Sequence, residues 1–292
     1  MLAQLLREMR LWQWSKNLVV LAGVIFAHEF TDMGQLGRAL AATVAFGLLS
    51  SASYVFNDLR DLERDRLHPR KRLRPLAAGA LSVGVGRGMM IALAGLGLAL
   101  AFALGAPMGA TASGYLLLNL AYTLVLKRLV LLDVMTIAIG FVLRAVAGIV
   151  ALAPMPEISP WLLVCTFFLA LFLAVGKRRH ERMTLTDEAL QHRATLSEYP
   201  PALLDQLVPV VTAATIIGYA IYTISPATSQ HATGGRMVVT IPFVVYGIFR
   251  YLYLVYRAGH GGAPSELLFK DLPLLANVLL WGVTILIILL VA

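Results

Sequence analysis

Cysteine occurs once, at Cys165, inside an apolar run, so the chain has neither a disulfide framework nor a cysteine metal site. Charge is also scarce. Only 14% of the 292 residues are Asp, Glu, Lys or Arg, against 59% hydrophobic residues, and the mean hydropathy is +0.78. A soluble domain of this length does not bury that many apolar residues. The first residues lack a small-residue cleavage site after their apolar stretch, so they do not read as a cleaved signal peptide. No low-complexity tract, separate soluble domain or Ser/His/Asp or Cys/His catalytic set is evident.

Long apolar runs take the place of what is missing. A helix needs about 20 residues to cross the hydrocarbon core. Nine segments read as spans: Leu18–Phe30, Ala39–Phe56, Gly86–Leu104, Met108–Leu126, Leu129–Leu152, Pro160–Gly176, Gln206–Ile224, Met237–Tyr256 and Pro273–Val291. The first is short and is expected to extend back through Trp12 and Trp14, residues suited to an interfacial belt. With nine spans, every Lys and Arg except Arg38, Arg236 and the intramembrane Arg144 falls on one side. The positive-inside rule then puts the N-terminus in the cytoplasm of a multi-pass plasma (inner) membrane protein. That topology accounts for most of the net charge of +8, leaving some for anionic substrates or lipid headgroups and none that calls for nucleic acid. The expected organisation is one all-helical transmembrane domain over 1–292, with nine helices around a central cavity. Two long cytoplasmic loops, 57–82 and 177–205, would cover a site at the membrane face.

The first long loop opens with Asn57, Asp58, Asp61, Glu63 and Asp65. If the preceding span continues as a helix, Asn57, Asp61 and Asp65 at i, i+4 and i+8 share one side, and Asp58 flanks them. Clustered carboxylates need compensating cations. Oxygen ligands of this kind suit Mg²⁺, which takes one or two carboxylates and completes its shell with substrate phosphates. A solvated helix end, with Arg60, Arg64 and Arg66 pairing the acids, is the plainer alternative. Against it stands the continuation His68-Pro69-Arg70-Lys71-Arg72-Leu73-Arg74-Pro75. This dense cationic run, shaped by two prolines, can hold the oxygens of a diphosphate.

These residues resemble the first aspartate-rich motif of the UbiA superfamily of intramembrane prenyltransferases, NDxxDxxxDxxHPxKxxRPLAAG. The resemblance implies a helical bundle open laterally to lipid, with Mg²⁺ held by Asn57, Asp61 and either Asp58 or Asp65. It also implies a diphosphate held by Arg70, Lys71 and Arg74. Members acting on aromatic acceptors carry a second acidic motif, DxxxD, after span six. Here that position reads Lys177-Arg178-Arg179-His180-Glu181-Arg182. A basic anchor at a span exit is the plain reading. The substitution also resembles the decaprenyl-phosphate phosphoribosyltransferase branch, as do the RLWQWSKN start at Arg10, Leu132-Asp133, Phe141–Ala145 and the PSELLFKD stretch from Pro264.

The branch implies Mg-dependent transfer of phosphoribose from 5-phosphoribosyl 1-diphosphate to a polyprenyl phosphate. Asp58, Asp61, Lys71 and Arg74 would act in catalysis. Lys177, Arg178 and Glu181 would face the first motif and serve the ribose 5-phosphate. Tyr54 would reach ribose or phosphate, and Lys16, Lys127 and Arg144 the lipid phosphate. Tyr122 precedes Lys127 by five residues where the superfamily commonly shows four. Arg144 lies mid-span, where an arginine costs at least ~2.5 kcal/mol on insertion scales. It is read as facing the cavity and an anion; its alternative partners are backbone carbonyls or Asp133. Prenyl transfer to an aromatic acceptor is the competing reaction.

Overall fold

A computed structural model describes residues 1–69, 71–184, 194–225, 235–257 and 264–291. Every regular element among them is helical. Seven helices are long and apolar enough to cross a membrane: Met33–Arg60, Val83–Leu104, Leu132–Val150, Pro160–Thr184, Pro201–Ile224, Arg236–Tyr256 and Leu272–Val291. These correspond to seven of the nine expected spans. The remaining two depart from expectation for different reasons. Ala106–Leu124 has 19 residues but carries Thr111, Ser113, Tyr115 and Asn119, which lower its hydropathy. The first segment winds as a 3₁₀ helix over Leu11–Leu21 and an α-helix over Ala22–Phe26. Its Trp14 is half-buried and makes contacts within the protein. The indole packs against Gly47, where an added Cβ would stand 2.7 Å from the ring, and it donates to Ser51 Oγ at 3.0 Å.

Helix boundaries follow local chemistry. Asp32 caps Met33–Arg60, its Oδ1 accepting from Gly34 N at 2.7 Å and Gln35 N at 3.1 Å. Ser82 caps Val83–Leu104 through Val85 N at 3.3 Å. Gly105, at φ 137°, separates that helix from the next in a single residue, a backbone position favouring glycine. The expected loop segments are partly helical: 57–60 ends the Met33–Arg60 helix, and 177–184 ends Pro160–Thr184.

The chain forms two compact units. The first comprises Met1–Leu126 and Gly140–Ile158; the second comprises Lys127–Ile139 and Ser159–Ala292. In the first, Ala39, Ala42, Ala45, Phe46, Leu49 and Ala52 of Met33–Arg60 are buried. Small residues let helices approach closely, the main device of packing in lipid. The tightest approach is between Gly23 and Gly148: a Cβ on Gly148 would stand 1.9 Å from Val20 O. Arg38 closes one end of this unit, its Nε donating to Ala151 O at 2.7 Å and Nη2 to Leu104 O at 2.5 Å. The second unit packs Phe172, Val175, Leu204, Val208, Ile248, Tyr251 and Leu254 into its core. There, Arg236 donates to Val291 O at 3.4 Å. Large apolar side chains such as Ile91, Leu117, Val210 and Leu279 remain exposed, as lipid contact requires.

Candidate active site

In the first unit, the acidic motif sits on two helices joined at Asp61. Met33–Arg60 ends there, with Asp61 at φ −97° and ψ 11°, and Leu62–Leu67 begins. Backbone hydrogen bonds persist through the break, from Asp61 N to Asn57 O and from Asp65 N to Asp61 O, both 2.9 Å. The expected stripe of Asn57, Asp61 and Asp65 is therefore modified. Asp58 and Asp65, seven residues or nearly two turns apart, are the buried pair, while Asn57 and Asp61 are half-buried.

Cations hold the buried pair. Arg74 Nη1 bridges Asp58 Oδ1, at 3.0 Å, and Asp65 Oδ2. Lys71 Nζ lies 3.5 Å from Asp65 Oδ1, and Arg10 pairs with Asp58 Oδ2. Arg10 is the residue sequence reasoning used only as part of a motif. Its left-handed backbone, φ 54°, turns the chain between the Leu2–Met9 helix and the following 3₁₀ segment. Glu8, 1% exposed, joins the same cluster, and sequence reasoning missed it. Burial first, then the neighbouring charge of Asp58, push its carboxyl up to about 7 against the pull of Arg10.

The donor set consists of oxygens only. No group of three or more His, Cys, Asp or Glu side chains able to hold a metal occurs among the described residues. Such a set fits a hard divalent cation that completes its shell with substrate phosphate and water. With fewer than three clustered carboxylates, Asn57, Asp61 and one of the two buried aspartates could supply only part of its shell.

A second polar cluster of this unit surrounds Arg144. The guanidinium is buried and, among the described residues, meets no carboxylate. Nε donates to Asn17 Oδ1 at 2.8 Å, Nη1 to Gly140 O at 2.9 Å and Nη2 to Tyr115 OH at 2.7 Å. Its carbon lies 4.8 Å from the Tyr115 ring centroid and 5.0 Å from that of Phe141. Asp133, an alternative partner considered from sequence, pairs elsewhere. Lys16 Nζ donates to Gln13 Oε1 at 2.6 Å, and Tyr54 OH reaches the same oxygen at 3.4 Å. Lys16 and Tyr54 are thus brought together, and Gln13, Asn17 and Tyr115 are partners that sequence reasoning did not assign. The RLWQWSKN pattern was the only signal for the first two. Tyr122 lies half-buried near the end of Ala106–Leu124.

In the second unit, the basic run is largely committed to internal pairs. Arg178 Nε binds Asp133 Oδ2 at 2.8 Å, and its Nη1 binds Glu181 Oε2 at 2.7 Å. Tyr199 OH donates to Asp133 Oδ1 at 2.5 Å and accepts from Leu131 N at 2.7 Å. Burial and the bond to Asp133 hold the phenol well above its usual ionisation range, so it remains a donor. Arg179 pairs with Asp205 at 2.6 Å and lies 3.7 Å over Tyr256. Lys177 Nζ, more exposed, lies 3.9 Å from Glu181 Oε1. Lys127 is half-buried, its carbonyl accepting from Thr195. Arg70 lies outside the described residues.

The UbiA prenyltransferase family profile matches residues 17–272. The decaprenyl-phosphate phosphoribosyltransferase of Corynebacterium glutamicum is 34% identical, covering 95% of this chain and 84% of its own length. The enzyme of that name from Mycolicibacterium smegmatis is 32% identical over 96% and 91%. Among solved structures, a UbiA homologue from Archaeoglobus fulgidus bound to GPP and Mg²⁺ superposes with a TM-score of 0.74. It is 20% identical and covers 98% of this chain and 99% of its own. The acidic motif, the apolar helices and these likenesses agree: the chain is a membrane transferase and belongs to the UbiA prenyltransferase family.

Proposed function

We propose that this enzyme transfers the 5-phosphoribosyl group of 5-phosphoribosyl 1-diphosphate to the phosphate of a polyprenyl phosphate, releasing pyrophosphate. The observation that carries the reading is the cationic second motif. Its one acid, Glu181, already binds Arg178 and faces Lys177, which argues against a second acidic metal site of the kind aromatic prenyl transfer uses. The name shared by relatives matching nearly the whole chain supports the same reading.

In this proposal Asn57 and Asp61, with Asp58 or Asp65, hold Mg²⁺, which neutralises the leaving pyrophosphate. Lys71 and Arg74, with Arg70, bind diphosphate oxygens. They stabilise charge as the bond between the anomeric carbon and the diphosphate oxygen breaks and its electron pair leaves with the pyrophosphate. An oxygen of the lipid phosphate forms the new bond to that carbon. The acceptor is already an anion, so no strong general base is needed. Lys16 and Arg144 receive the lipid phosphate, with Lys127 as a third cation, and Tyr54 contacts the sugar. Lys177 and Arg178 serve the ribose 5-phosphate, Arg178 through its hold on Glu181. The active-site residues lie on the cytoplasmic side of the plasma membrane.

The test supplies purified protein with Mg²⁺, radiolabelled 5-phosphoribosyl 1-diphosphate and a polyprenyl phosphate, and follows label into the organic phase. Transfer that chelation abolishes, and that Asp61→Ala lacks, is expected. Transfer from a polyprenyl diphosphate to 4-hydroxybenzoate instead would replace this reading with aromatic prenylation.

A further inference from the structure

Two helices of the first unit each contribute two apolar residues and one arginine to a trough that none of the chemistry above uses. Phe56, Leu59 and Arg60 come from the end of Met33–Arg60; Arg87, Met90 and Ile91 come from the start of Val83–Leu104. Each triplet has the i, i+3, i+4 spacing that puts three side chains on one helical face. The helices run antiparallel: Gly86 lies against Leu59, and Gly97 against Leu49 and Ala45. Arg60 and Arg87 therefore stand at the same end of the pair, with the apolar residues beneath them. The trough encloses about 310 Å³ and opens outward past Ile91, which is 66% exposed.

Both arginines are exposed, and among the described residues neither forms an ion pair, unlike Arg10, Arg74 and Arg178. Two guanidiniums above an apolar floor, on helices fit to cross the membrane, match a phosphate esterified to a lipid chain. The outward opening leaves the rest of that chain in the bilayer.

We propose that this trough is a seat for an anionic glycerophospholipid of the surrounding membrane, its phosphate held between Arg60 and Arg87. The lipid would be a bound component of the protein's outer face, not a reactant. Its first methylenes lie on Phe56, Leu59 and Met90, and the remainder passes Ile91. The site is separate from the Asp58–Arg74 cluster and stands whichever transfer reaction the enzyme catalyses.

An Ile91→Trp reporter reconstituted in vesicles tests the assignment, read as the fluorescence it adds over the parent. Brominated phosphatidylglycerol is expected to quench it at lower mole fraction than brominated phosphatidylcholine. Each arginine near a surface favours an anionic lipid by about fivefold. Adding Arg60→Gln and Arg87→Gln brings the preference to about one while leaving phosphatidylcholine quenching unchanged, which also shows that the fold survives. Arg7→Gln with Arg64→Gln removes the same charge from other exposed positions and keeps the preference. Equal quenching by both lipids in the reporter parent overturns the proposal. So does loss of preference in the Arg7/Arg64 control, which reduces the effect to a diffuse field. Displacement of both bromolipids by trace polyprenyl phosphate also overturns it, assigning the trough to the substrate lipid.

Discussion

Removing one oxygen, in Tyr115→Phe, tests whether Arg144 is held by neutral partners alone. The phenol accepts from Arg144 Nη2 at 2.7 Å and lies 3.0 Å from Ser50 Oγ. The ring, 4.8 Å from both the guanidinium carbon and the Phe46 centroid, stays in place. The loss is therefore chiefly a hydrogen bond to a buried charge, about 1.5–3 kcal/mol. In an Arg144→Met background the same change removes only the neutral bond to Ser50, about 0.5–1.5 kcal/mol. The Ser50 bond is lost in both backgrounds and cancels, so the coupling is the charged bond itself, about 1.5–3 kcal/mol, read from a double-mutant cycle of equilibrium unfolding in detergent micelles. Strict additivity, or a cost below about 0.5 kcal/mol for Tyr115→Phe alone, would refute the reasoning. Either result would mean that Arg144 finds its stabilisation elsewhere.

Gly148→Ala drives a methyl into Val20 O and should destabilise by more than about 2 kcal/mol. Gly95→Ala, with nothing near its Cβ in a helix interior, should stabilise by about 0.5–1 kcal/mol; thermal unfolding compares the two. Arg178→Ala leaves Asp133 and Glu181 without their shared cation, and thermal unfolding should show about 3 kcal/mol lost. Lys177→Ala is expected to leave stability nearly unchanged and to raise KM for the sugar substrate, so unchanged kinetics would return Lys177 to a membrane-anchoring role. Glu8 carries the pH dependence. Its carboxyl is raised from 4.5 to about 7 in the fold, so between those values the folded chain holds a proton the unfolded chain has lost. Its contribution is full below about 4.5 and declines as pH rises to about 7. With chelator present, Glu8→Gln should flatten that slope, and parallel pH profiles for parent and variant would contradict it.

The candidate site was legible as a cluster because acids and cations are rare in this chain and many of them sit in one dense stretch after Phe56. Which of them pair was not. Counting in fours selected Asn57, Asp61 and Asp65, whereas Asp58 and Asp65 meet at Arg74 across the helix break at Asp61. Arg144 was recognisable as an anomaly from its depth alone. Its partners Asn17 and Tyr115 are far away in sequence and uncharged, so no local spacing pointed to them. The basic run at Lys177 was legible as charge, whereas its partners were not: Asp133 and Asp205, on other helices, engage Arg178 and Arg179. The apolar spans were legible from length and hydropathy. The first was not, because a 3₁₀ winding leaves no distinct period in so short a run.

The two arginines that the charge count leaves on the cation-poor side bear on how the chain acquires its orientation. Arg38 is spent on the terminal carbonyls of two helices, and Arg236 on the last turn of another. Their charge compensates the negative ends of helix dipoles. Arginines engaged in this way serve the folded bundle, a role distinct from the charge asymmetry expected to orient the chain. Neutralising either should leave the inserted orientation unchanged while loosening the helix ends it ties down.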